Sequence, residues 1–319
     1  MNLRVLGAQE VEAALPFREA VDVIAEAFSQ FSADQATVPL RTRIETELGQ
    51  TLIMPAYLHR SRWMAVKIVS VYPENVALGL PTVPGIVLVI DPDTGMPKAM
   101  MDGHSLTAIR TGAAGALAAK LLARKDAASV VLFGAGTQGW AQICGVLAVR
   151  SIRRVWIVDP NPDFRFRLAD RIRGLPNAPE VSIAENIPEA LAQADIVITA
   201  TTSREPVFDG RFIQSGTHIT AVGAFRRDMQ EVDASVVQKA RVVVDSREAC
   251  LAEAGDIVQT GAIIAAEIGE IVNGTAAGRR SDDEITLFKS VGIAAQDAAA
   301  AAAVLERAER LGLGQMVAF

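Results

Sequence analysis

The chain has 319 residues, half of them hydrophobic and about a fifth charged, with 31 Lys+Arg against 37 Asp+Glu and a formal net charge of −6. That length allows about two domains of roughly 150 residues each, and the composition excludes a disordered chain. The acidic balance argues against nucleic-acid backbones or an anionic membrane as partner, because both need a clustered basic surface.

In chain order, residues 16–31 place Val21, Ile24, Ala25 and Phe28 at helical spacing and predict one amphipathic helix. Residues 40–46, 50–56, 63–71, 85–90 and 97–101 are short, β-branched or alternating, and turn chemistry such as Asp91-Pro-Asp-Thr-Gly95 separates them. They predict a mostly antiparallel sheet. Residues 105–123 form an Ala- and Leu-rich helix that contains Gly112 and Gly115. Beyond Asp126, strands at 129–133, 155–158, 196–200, 218–222 and 241–245 alternate with helical stretches, which implies a parallel, doubly wound sheet. The Ala-rich stretch 293–311 predicts a long helix ending at Gly312.

Cys144 and Cys250 form no CxxC pair, and His59, His104 and His218 have no HxxxH or HxH spacing. Neither a disulfide framework nor a bound metal is expected, and a reducing cytoplasm fits. With no basic segment leading into an apolar one at the start, and only strand-sized apolar runs elsewhere, neither a signal peptide nor a membrane span is expected.

The chemistry-bearing motif is Ser129-Val-Val-Leu-Phe-Gly134-Ala-Gly136-Thr-Gln-Gly139, a GxGxxG directly after an apolar strand and before a helical stretch. Glycines allow a tight turn and close approach to a pyrophosphate, and the helix N-terminus offers unsatisfied N–H groups. Asp159, at the end of the next strand, suits the adenosine ribose diol and repels a 2′-phosphate, which favours NAD(H). Arg165 and Arg167 nearby are the opposing signal.

Two cations fall on unexpected faces. Period-two alternation puts Lys67 on the side of Trp63, Ala65, Val69 and Val71, and Arg110 lies in the stripe of Leu106, Ile109, Ala113 and Leu117. Each needs an anion, either an internal salt bridge or a substrate carboxylate. Arg41, on an early strand with Arg43, is a further candidate.

Taken together, these segments resemble the ornithine cyclodeaminase and μ-crystallin family over essentially the whole chain. The residues that carry the resemblance are Pro39-Leu-Arg41-Thr, Met54-Pro-Ala, Lys67 to Asn75, Gly79-Leu-Pro-Thr82, Met101-Asp-Gly and Leu106 to Thr111. Further along come the Gly134 loop, Ala221-Val-Gly-Ala224, Val244-Asp-Ser and Phe288-Lys-Ser290-Val-Gly292. The resemblance implies an α/β fold, with a Rossmann-type doubly wound sheet (114–292) inserted in a discontinuous α+β substrate and dimerisation domain (1–113 plus 293–319). It implies a homodimer formed through that domain's sheet. By position, Arg41, Lys67, Arg110 and Val291 would meet the substrate, with Lys67 and Arg110 as the catalytic pair. Thr82, Arg110, Thr111, Gly134, Gly136, Thr137, Gln138, Asp159, Thr201, Val222, Gly223, Ala224, Phe225 and Ser290 would meet NAD(H).

Two departures bear on the reaction. Phe225 replaces the aspartate that serves the cyclodeaminases as acid/base, and Leu52 replaces the acid that meets the distal amine of ornithine. The expectation is therefore NADH-dependent reduction of an α-imino acid to an L-amino acid: Δ1-pyrroline-2-carboxylate, iminosuccinate or iminopyruvate. Arg43, His59, Arg226 and Arg227 are candidates for a second carboxylate. The competing readings are a cyclodeaminase-type deaminating enzyme and a non-catalytic, crystallin-like binder of nicotinamide cofactor and a small ligand.

Overall fold

A computed structural model describes residues 2–318, apart from the side chain of Val76. The chain divides into two compact units, Met1–Arg110 with Ile293–Phe319, and Thr111–Gly292.

In the first unit, alternation builds one mixed sheet. Its strands lie in the order Gln315–Ala318, Asn2–Leu6, Pro97–Asp102, Gly85–Ile90, Trp63–Val71, Gln50–Leu58 and Ala36–Thr37, and Thr42–Glu45 also pairs with Gln50–Leu58. Along Gln50–Leu58, Leu52, Met54, Ala56 and Leu58 are buried while Thr51, Ile53, Pro55 and Tyr57 are half-buried on the opposite face. The buried face packs against Ala294–Leu311, which in turn packs on Phe17–Ser32. Ala294, Ala295 and Ala298 to Ala302 are all buried, and their small side chains let this helix lie close to the strands. Gly312, with φ of 67°, ends it in the left-handed conformation that favours glycine. The strands Asn2–Leu6 and Gln315–Ala318 were not expected. They are short, and they form by pairing the two ends of the chain, Asn2 opposite Ala318, a contact with no local signature.

In the second unit every strand pairing is parallel, in the order Glu180–Ile183, Arg154–Val158, Ser129–Phe133, Ile196–Thr199, His218–Ala221, Thr286–Lys289, Arg241–Val244, Ile264–Glu267. The winding order of the strands, not their direction, reverses between Ser129–Phe133 and Ile196–Thr199. Doubly wound sheets bind ligands at such a point, outside the carboxyl ends of the strands. Glu180–Ile183, Ile264–Glu267 and Thr286–Lys289 are further strands beyond the expected five, set by their neighbours rather than by their own pattern. The helix Gly103–Leu122 runs slightly earlier than expected, and its glycines have a packing role. A Cβ on Gly115 would lie 1.9 Å from Gln142 Oε1, and one on Gly145 would lie 2.3 Å from Gly112 O. The helices Gly103–Leu122 and Thr137–Val149 thus approach more closely than side chains would allow.

Candidate active site

Lys67 lies mid-strand, opposite Met54 on one neighbour and Val87 on the other, with its side chain 1% exposed. Its Nζ donates to Asp297 Oδ1 at 2.8 Å and stands 2.7 Å from Oδ2. Arg110 Nε donates to the same Oδ1 at 3.1 Å, and its Nη1 donates to Gln296 Oε1 at 3.2 Å. Gln296 Oε1 also accepts the Ile293 N–H, which fixes the entry to the last helix. Both cations therefore have an internal partner, and it is the same one. While Lys67 keeps its proton, two cations face one buried carboxylate and leave an excess positive charge. Burial, reinforced by the Arg110 charge, pulls the Lys67 ammonium down to about 7 against the upward pull of Asp297, and the Arg41 charge lowers it further. Asp297 escaped the sequence reading. Its signal is that it is the one acid within the Ala294–Ala302 run, on a helix whose neighbouring positions are all buried.

Leu52 and Met54 share the Lys67 face and are 3% and 4% exposed, so the wall beside the ammonium is apolar. Thr82 follows the turn Pro73–Leu78, and its carbonyl accepts the Tyr72 N–H at 2.9 Å. The candidates for a second carboxylate site each have another partner. Arg43 is 3.8 Å from Glu45, His59 bonds Thr37, Arg226 grips Asp228 through two nitrogens, and Arg227 donates to Ala252 O.

In the second unit, Gly134 has φ of 97°, and a Cβ there would lie 2.4 Å from Ala200 O. A Cβ on Gly139 would lie 2.0 Å from Gly134 O, which fixes the helix tightly on the turn. At Gly136 a Cβ would meet nothing within 4 Å, and Gly136 and Thr137 are exposed. The helix Thr137–Val149 starts at Gly136 without a side-chain cap, leaving its first N–H groups open to an anion. Gln138 is half-buried in the same turn. Asp159 accepts the Ala135 N–H at 2.7 Å and the Asn161 N–H at 2.8 Å, so it stands beside the glycine turn with lone pairs left over. These residues fit a dinucleotide, with pyrophosphate at the helix start and a ribose on the carboxylate.

Thr111 is buried, and its carbonyl accepts from Gln142 Nε2 at 2.9 Å. Thr201, the turn Val222 to Phe225, and Ser290 with Val291 follow the carboxyl ends of three adjacent parallel strands, on the glycine-turn side of the sheet. Phe225 is half-buried there and has no proton to exchange.

Fold and turn together define a dinucleotide-binding protein of the doubly wound class. The chain belongs to the ornithine cyclodeaminase/mu-crystallin family, whose model matches residues 1–311, and the resemblance in the motifs is borne out. It is 38% identical to a Delta(1)-pyrroline-2-carboxylate reductase of Bacillus cereus over 99% of both chains. Its fold matches that of Thermococcus litoralis Delta(1)-pyrroline-2-carboxylate reductase in complex with NADH and L-proline, with a TM-score of 0.95, 42% identity, and coverage of 99% of this chain and 100% of that one. An archaeal alanine dehydrogenase dimer with bound NAD matches with a TM-score of 0.93 and 35% identity over 100% of both chains.

Proposed function

We propose that the protein is an NADH-dependent reductase of a cyclic α-imino acid of the Δ1-pyrroline-2-carboxylate type, yielding the L-amino acid. The observation that carries this reading is the pair Lys67 and Arg110 on the single carboxylate of Asp297, beside the apolar wall of Leu52 and Met54. The excess positive charge holds the α-carboxylate of the substrate, with Arg41 adding to the field, and a hydrocarbon ring suits the wall. A distal amine or a second carboxylate has no partner at Leu52. When bound, NADH supplies the hydride. Lys67, whose ammonium is pulled down to about 7, donates the proton that makes the imine electrophilic. Arg110 keeps the carboxylate oriented whichever protonation state Lys67 is in, because a guanidinium stays charged.

The family likeness and the relatives' names support the same reaction, and the replacement at Phe225 speaks against cyclodeamination. The test is NADH consumption by purified protein across Δ1-pyrroline-2-carboxylate, oxaloacetate with ammonia, and pyruvate with ammonia, each against an enzyme-free control. The cyclic imine is expected to win. Bound NADH that no substrate oxidises would point instead to a binding protein.

In cofactor choice, Asp159→Ala is expected to raise the KM for NADH by about 10-fold, the worth of a charge-assisted hydrogen bond. The KM for NADPH should move far less, because its 2′-phosphate never gained from that carboxylate. Equal effects on both would remove Asp159 from the ribose.

The half-buried sheet face of Ile53, Pro55, Tyr57, Met64, Val66, Ile68 and Leu88 supports a homodimer, since a second copy of this face would cover it. No helix among the described residues is long and apolar enough to cross a membrane. Cys144 and Cys250 are free thiols, which suits a reducing cytoplasm.

A further inference from the structure

The second unit contains a buried acid cluster that the reaction above does not use. Glu231, Asp245 and Asp256 are each 0% exposed, as is Lys289, whose Nζ lies 2.9 Å from Asp256 Oδ2. Glu231 Oε1 accepts the N–H of Thr201 at 2.6 Å and its hydroxyl at 2.9 Å, and Oε2 accepts the N–H groups of Gly223 at 2.7 Å and Ala224 at 3.0 Å. One carboxylate thus joins the turns that follow the neighbouring strands Ile196–Thr199 and His218–Ala221. Its own backbone is anchored from behind, since Asp256 Oδ1 accepts the N–H groups of Glu231 and Val232 at 2.7 and 3.0 Å. Packing at the junction is close: a Cβ on Gly223 would come 2.1 Å from Thr201 O and 2.4 Å from Glu231 Oε1.

The position on the sheet gives this clamp its meaning. In a doubly wound sheet the dinucleotide lies across the carboxyl ends of the strands, with pyrophosphate at the glycine turn. Asp159 follows the strand on one side of that turn and takes the adenosine half, so the nicotinamide half lies over the strands on the other side, where Thr201, Gly223 and Ala224 are. We propose that Glu231 is a positioning residue for the nicotinamide half of the cofactor: its carboxylate sets the spacing of the Thr201 and Gly223-Ala224 turns without touching the reacting atoms. This inference rests on the cofactor placement proposed above.

Glu231→Gln keeps the volume but turns one oxygen into an NH2 group, which faces N–H or O–H donors whichever way the amide points. Dissociation constants for NADH and for ADP-ribose, which lacks the nicotinamide, separate the two halves of the site. For Glu231→Gln the NADH constant is expected to rise about 10-fold while that for ADP-ribose stays within about twofold. A matched control is Asp195, which brackets the opposite end of the sheet by accepting from Ala128 N, Ser129 N and Ser129 Oγ at 2.8, 3.0 and 2.8 Å. Asp195→Asn should lower the melting temperature yet leave the ratio of the two constants unchanged. Equal weakening of both ligands by Glu231→Gln, or an unchanged NADH constant, overturns the proposal. If that variant does not fold, Glu231→Asp carries the same comparison, and a wild-type ratio there overturns it too. Failure of the wild-type chain to bind NADH would instead sink the cofactor reading itself.

Discussion

Lys67→Met is expected to lower kcat/KM for imine reduction by about 1,000-fold, within the range that a positioned general acid contributes, and to remove one of the charges on the substrate carboxylate. Methionine is unbranched and fits between Met54 and Val87, and Asp297 keeps Arg110 as a partner, so the variant should fold. The pH profile is the sharper readout. Because the Lys67 ammonium is pulled down to about 7, its charged form is present below that pH and is lost above it. Wild-type kcat/KM for reduction should therefore be flat on the acid side and fall about tenfold per unit above pH 7, while oxidation of the amine product shows the opposite limb. Loss of that break in Lys67→Met would tie it to this residue. A wild-type profile with no break near neutrality would remove Lys67 as the proton donor.

Asp297→Asn is expected to cost about 3–5 kcal/mol of folding stability near pH 6, since it leaves buried cations without their carboxylate. Asp297 also raises Lys67, so the break in the pH profile should move to lower pH. The sign of the pH dependence follows from those two shifts. In the wild type Lys67 keeps its proton up to about 7, and in the variant it loses it earlier, so the stability that Asp297 provides through Lys67 is present below about 7 and lost as the pH rises through it. Urea unfolding at pH 6 and pH 9 should show the larger deficit at pH 6. Arg110 still loses its partner at pH 9, so a deficit remains. Adding Lys67→Met to Asp297→Asn should restore part of the stability at pH 6, because one buried charge is gone. Strict additivity of the two losses would show that the three side chains do not act as one unit.

Asp297 also marks how far the chain was legible without its fold. Period-two alternation put Lys67 on the inner face of its strand, and the 3.6-residue stripe put Arg110 among apolar neighbours. Both arise from local backbone geometry, which repeats every few residues and leaves a trace in the residue order. The glycine turn and Asp159 were legible for the same reason, because a strand, a tight turn and a helix start must follow one another along the chain. The terminal strands and the strands Glu180–Ile183, Ile264–Glu267 and Thr286–Lys289 were not, since their pairing comes from distant neighbours.

What only the tertiary structure decided is which charges meet. Lys67 and Asp297 are 230 positions apart, and Thr201 and Glu231 are 30 apart. No local pattern links either pair. The sequence by itself determined that buried cations exist and that a dinucleotide turn follows an apolar strand. Folding determined that both cations share one acid, that the arginines after the Ala224 turn are taken up by Asp228 and Ala252, and that a buried glutamate joins two neighbouring turns. Burying a charge costs several kcal/mol unless a partner is placed within hydrogen-bonding distance. Residue order can announce that requirement, but only the packing of helices against sheets can say which group meets it.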